Sequence, residues 1–325
     1  MNIRPFGWRD LSLLNRYLDR GLFLDSAQVL THGRSLVPMG AFLSFLAPST
    51  RMYTYRSDRS ASSGEPLLGQ LSYSMGASYA RLTFLAPEDT LEQTEISMFS
   101  DFIAIQAGNL GAFHILADVD ECSQAFEMLH QAGFAIYARQ RIWRLDRQAE
   151  GDGNPAIWVS CRSKDIIAVR SLYCNIVPGL VQQVEPLPKK DIKGNIYYKD
   201  GEILAFVETK YGRNGIWLQP FIHPDAGDFE CYLVSLLQSL AAKGNRPLYI
   251  CIRSYQSWLE SAIQAMGAQA GPSQAVLVRH LTVARTVNQA YPVTAINGKR
   301  VEPTAPIAQI DRSHSVETVE VERRF

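Results

Sequence analysis

A histidine set against a proline at the end of an apolar run, Phe221-Ile222-His223-Pro224, is a place in this chain where a side chain could move a proton. Imidazole titrates near neutral pH, so His223 could serve as a base or orient a substrate; a histidine at a strand end serves equally as a hydrogen-bonded structural residue. The other histidines, His32, His114, His130, His280 and His314, are scattered without spacing suited to a metal. Cys122, Cys161, Cys174, Cys231 and Cys251 form neither a CxxC pair nor a Cys/His ligand cluster, so no metal is expected and reduced, mostly buried thiols are. Tyr197, Tyr198, Phe206, Tyr211, Trp217 and Phe221 gather along apolar segments, where they either fill a core or line a cleft.

Those residues need a scaffold, and 325 residues suffice for about two domains, each long enough to bury a core. Lys and Arg total 32 against 32 Asp and Glu, which leaves no positive excess for a phosphate backbone or an anionic bilayer. Basic pieces such as RSDRS and LPKKDIK read as solvated loops. No apolar run approaches the roughly 20 residues of a membrane helix, and the amino terminus has no signal-peptide pattern, so a cytoplasmic location is expected, with neither nucleic-acid nor membrane partners.

Periodicity supplies the elements. A strand near Ile3 precedes helical stretches over Trp8 to Tyr17 and Ser26 to Gly33. Strands follow at Met52 to Tyr55, Leu67 to Tyr73 and Tyr79 to Leu85, as in an antiparallel meander. A helix over Thr90 to Ala107, the strand FHILAD, the helix CSQAFEMLHQAG closed by Gly133 and the strand AIYARQRIWRL complete the first half. The polar stretch RQAEGDGNP, residues 147 to 155, reads as a connector, which gives domains at 1–150 and 151–287. Residues 288–325, rich in Pro, Thr, Ser and charge, read as a flexible tail, or as a peptide that docks on a partner.

After the connector a similar order returns: a helix near Ile166 to Cys174, strands near Asn195 to Tyr198, Leu204 to Thr209 and Ile216 to Phe221, and a helix over Phe229 to Ala242. AFHILADVDECSQAFEMLHQAGFAIYARQRIWRL and PLYICIRSYQSWLESAIQAMGAQAGPSQAVLVRHLTV share strand, helix, a helix-ending glycine (Gly133, Gly267) and a strand with an internal Arg. The pattern is that of an internal duplication.

This order in both halves resembles the GNAT-type N-acetyltransferase superfamily, most specifically in DGEILAFVETKYGRNGIWLQPFIHPDAGDFECYLVSLLQSLAAKG and more faintly in ARLTFLAPEDTLEQTEISMF and CSQAFEMLHQAGF. The resemblance covers most of residues 1–286. It implies an α/β (α+β) chain of two tandem GNAT-like domains, each a mixed, mainly antiparallel sheet flanked by helices.

It also implies acetyl-CoA or another acyl-CoA as cofactor. The pantetheine arm would lie along the fourth strand of the second half, at Gln219, Phe221 and Ile222, and the pyrophosphate at the following turn, at Ala226, Gly227 and Asp228. Departures are plain. The superfamily's Gly- and Arg-rich turn is here PDAGDFEC, where Asp225, Asp228 and Glu230 bring carboxylates to a phosphate site. Pro220 has no amide to donate. APEDTLEQ in the first half has no Gly and carries Glu88, Asp89 and Glu92. Neither fourth strand carries the Glu base that the resemblance implies, and Leu129 and Ile263 stand at the Tyr acid position. A rearranged pair, Glu208 as base and Tyr255 as acid, with His223 as a further base, is the catalytic set that remains. Two functions stay open: acyl transfer to a small amine from an eroded site, and a catalytically silent pseudoenzyme that binds another protein as a scaffold.

Overall fold

The computed structural model describes residues 2–35, 37–41, 52–59, 64–88, 93–146, 158–188, 192–227, 229–241 and 246–281. The expected connector and tail lie outside them. The first half runs β1 (Ile3–Pro5), α1 (Leu11–Tyr17), β2 (Leu22–Phe23), α2 (Ser26–His32), β3 (Met52–Arg59), β4 (Pro66–Tyr73), β5 (Tyr79–Ala86), α3 (Gln93–Leu110), β6 (His114–Asp120), α4 (Gln124–Gln131) and β7 (Ala135–Leu145). The second runs β8 (Trp158–Ser160), α5 (Ile166–Ile176), α6 (Gly179–Val184), β9 (Gly194–Lys199), β10 (Glu202–Tyr211), β11 (Ile216–Ile222), α7 (Phe229–Ala241), β12 (Leu248–Arg253), α8 (Glu260–Ala265) and β13 (Gln269–His280). No helix among these residues is long and apolar enough to cross a membrane.

Local chemistry explains the boundaries. Asp25 caps α2 by accepting from the Gln28 amide at 3.0 Å, and Ser123 caps α4 by accepting from Phe126 at 3.3 Å. Gly133 and Gly267 end α4 and α8 at φ of +87° and +83°, a conformation that a side chain disfavours. The expected helix over Trp8 to Tyr17 divides into a 3-10 turn, Trp8–Asp10, and α1. Asp10 is buried at that junction and pinned by Arg4 and Arg56. Neither α6, six residues long, nor β8, three residues long, is expected from the sequence pattern.

The thirteen strands of the described residues form one sheet in the order β1-β3-β4-β5-β6-β13-β7-β12-β11-β10-β9-β8, with β2 set against β5. Among the described strands only two pairs are parallel, and they correspond: β5 with β6 over Tyr79 to Arg81, and β11 with β12 over Ile216 to Leu218. The exception to the expected order is AIYARQRIWRL. Instead of completing the first half, β7 pairs with β12 of the second, while β13 pairs with β6 of the first. The last strands are thus exchanged and pair with each other at the centre.

Helices cover both faces. On one, α3 and α4 enclose a core with Phe99, Ile103, Met128 and Leu129 against β4 to β6, and α7 and α8 enclose another with Leu233, Leu237 and Ile263 against β10 to β12. On the other, α1 packs Leu14 and Tyr17 over Leu68 and Phe84, and α5 and α6 pack Val169, Tyr173 and Val181 over Phe206, Phe221 and Val276. Because Val276 and Leu116 share that last core, helices of the second half roof strands used by both. The thiols depart from expectation: Cys251 is buried, Cys161 is partly covered, and Cys122 and Cys174 are exposed.

Candidate functional site

In each half the parallel strands pair for three residues and then diverge, opening a gap at their carboxyl ends. The first gap begins at a bulge, where Leu82 and Phe84 pair with Leu71 and Gln70 and leave Thr83 extra. The chain's own backbone fills it. Leu22 and Phe23 pair with Leu85 and Phe84, the Leu24 amide donates to the Thr83 carbonyl at 3.0 Å, and the Leu24 carbonyl accepts from the Asp118 amide at 2.8 Å. Leu24, 1% exposed, joins the core under α3, while Phe23 turns to the opposite face against Phe84, 5.2 Å between ring centres. This alternation is that of a strand, so β2 is a wedge between β5 and β6.

In the second half, no described strand takes the corresponding place beside β11. One side chain reaches across instead: Gln256, 2% exposed, donates from Nε2 to the Ile222 carbonyl at 3.2 Å. The His223 amide bonds the Leu204 carbonyl of β10. Backbone groups alternate sides along a strand, so Pro220 and Ile222 face the gap, and Pro220 brings no donor to it.

The candidate residues fall in separate places. His223 borders a groove of about 660 Å³ between α5 and the β9–β10 hairpin, together with Lys199 and Asp225. Its Nδ1 accepts from the Asp225 amide at 3.2 Å, capping the following turn, which places the proton of the neutral ring on Nε2. Glu208 lies in a different cavity of about 320 Å³, its Oε1 3.5 Å from Lys210 Nζ. Tyr255 stands in the turn after β12 beside the core of α5 and α6, and burial pushes its hydroxyl well up despite the opposing pull of Arg253. Glu208 and His223 are therefore not brought together. Register does place Glu208 opposite Gln219.

Of the residues expected along acyl-CoA, Gln219, Phe221, Ile222 and Ala226 are buried, and Gly227 is exposed at φ +68° with Lys199 Nζ 3.6 Å from where a Cβ would stand. Asp228 lies outside the described residues. Tyr197, Phe206, Trp217 and Phe221 are core, whereas Tyr198 and Tyr211 are exposed. No group of three or more metal-ligating side chains occurs among the described residues.

Sequence reasoning missed a buried charge network at the exchanged strands. Glu185, at the end of α6, receives Arg253 Nη2 at 2.7 Å, the Tyr137 hydroxyl at 2.8 Å and Arg81. Arg81 also reaches Asp118 at 3.4 Å. Burial alone would raise the Glu185 pKa; Arg253, Arg81 and the Tyr137 hydroxyl outweigh it and hold it at about 2. Arginines inside the apolar strands YARLTFLA and LYICIR were the available signal, since a charge in such a run demands a partner.

No protein-family model matches the chain, and neither does any curated protein. Solved structures do. A GCN5-related N-acetyltransferase from Sphaerobacter thermophilus superposes with a TM-score of 0.55 over 86% of this chain and 95% of that one, at 9% identity. A tandem GNAT protein from the clavulanic acid biosynthesis pathway gives 0.52 over 86% and 98%, at 13% identity. The chain accordingly has the GNAT fold, in tandem.

Proposed function

We propose that this chain is an acyl-CoA N-acyltransferase-type protein with one acyl-CoA site, in the second half, and that the first half is its structural partner. The observation that carries the reading is the asymmetry of the two gaps: backbone fills the first, and a single glutamine side chain spans the second. Gly227 and Lys199 suit a pyrophosphate at the start of α7, although the Asp225 carboxylate, 84% exposed, opposes it. Along β11 the fit requires Gln256 to release the Ile222 carbonyl. Gln219, Phe221 and Ile222 would then border the arm of acetyl-CoA or another acyl-CoA, with Tyr255, in the turn that follows β12, as the proton donor. Since Glu208 and His223 stand apart, transfer to a small amine would rest on proximity and orientation.

Calorimetric titration of the full chain with acetyl-CoA tests this, with one equivalent bound per chain as the expected result. Two equivalents would show that β2 is no barrier. No binding at millimolar ligand would remove the acyl-CoA reading and favour a silent scaffold that docks another protein, the reading to which the Gln256 bridge and Pro220 lend support.

A further inference from the structure

The seam between β6 and β13 ends in two histidines that no part of the functional reading uses. His114 opens β6, His280 closes β13, and the register sets them directly opposite each other. Their Nδ1 atoms are 3.1 Å apart, with ring centres at 4.9 Å and planes at 89°. His280 is exposed and His114 half-buried, so the pair is open to solvent on one side.

We propose that His114 and His280 form a bidentate site for a divalent transition cation of the zinc, nickel or copper class. Imidazole nitrogens bind such ions at about 2.0–2.1 Å. Two bonds of that length whose nitrogens are 3.1 Å apart enclose an angle of roughly 100° at the ion, between the octahedral and tetrahedral values. A relaxed sheet therefore already holds the donors at chelating distance. The two Nδ1 atoms are hydrogen-bonded to each other, one ring donating, so an ion bound between them would replace that bond, with the donating ring carrying its proton on Nε2 instead. Water would complete the coordination shell.

The position gives the ion a consequence besides occupancy. One ligand comes from each half, so a bound ion ties the exchanged strand to its host and stabilises the folded chain through mass action. The test is calorimetry and thermal melting of the full chain with zinc chloride, for wild type, His114→Ala, His280→Ala and His130→Ala, the last an exposed histidine on α4. The expected result is one zinc ion per chain and a zinc-dependent rise in Tm for wild type and His130→Ala, both lost in the other two. Absence of zinc binding by wild type at about 0.1 mM, or equal binding in His280→Ala, would overturn the proposal. Should His114→Ala fail to fold, the exposed His280→Ala decides alone.

Discussion

Replacing Glu185 by Gln should be among the more damaging conservative changes available in this chain, and its cost should depend on pH. The carboxylate is 16% exposed and joins Arg253, 4% exposed, to Arg81, 15% exposed. Amide substitution preserves shape and an acceptor for Tyr137, but it leaves Arg253 buried without its carboxylate, a loss that typically costs about 3–5 kcal/mol. The titration provides a second route to the magnitude. A pKa lowered from the ordinary 4.5 to about 2 corresponds, at about 1.4 kcal/mol per pH unit, to about 3 kcal/mol. Because the folded-state value lies below the unfolded one, this stabilisation is complete above about pH 4.5 and fades as pH falls toward 2. Urea unfolding of wild type and Glu185→Gln, from about pH 7 to pH 3, should give a difference of about 3 kcal/mol that narrows below pH 4.5. A difference under about 1 kcal/mol at neutral pH, or one that stays constant with acid, would refute the reasoning.

Leu24→Ala should cost about 2–5 kcal/mol by emptying the wedge's place under α3, and a melting point equal to wild type would show that the gap closes without it. Gln256→Ala strands the Ile222 carbonyl and should cost about 1–3 kcal/mol while raising affinity for acetyl-CoA; weaker binding by calorimetry would mean that the amide holds the ligand. In Gly194→Ala the added methyl meets the Val207 carbonyl oxygen and the Phe206 ring, so denaturant unfolding should show a loss of about 1–3 kcal/mol, and no loss would put the β9–β10 spacing in error. Burial pushes the Cys251 thiol up to about 12. Iodoacetamide near pH 8 should therefore label the exposed Cys122 and Cys174 and spare Cys251, as peptide mass spectrometry would read.

What the sequence disclosed, and what it hid, divides along physical lines. The meander strands, α3, α4 and the α4-ending Gly133 were legible because period and helix-ending glycine are local properties. Pro220 was legible for the same reason: a missing amide is missing in any environment. The filling of the first gap was not, since Leu22-Phe23-Leu24 is too short to announce a strand and its partners lie some sixty and ninety residues away. The exchange of β7 and β13 left no trace either. An apolar strand states that it needs neighbours without naming them, and each of these two would satisfy its side chains in its own half. Glu185 follows a six-residue helix in a stretch that reads as surface, so its pairing with Arg81 and Arg253 emerges only when three elements meet.

Consider the order in which this sheet can be made as the ribosome delivers it. The strand that fills the middle, Gln269–His280, is the last of the described strands to be synthesised. Until then the nascent chain carries the long edge of Ile115 to Val119 without its eventual cover. Growing polypeptides tend to settle domain by domain from the amino end. Here the first-made portion reaches its final pairing only when the last-made segment arrives.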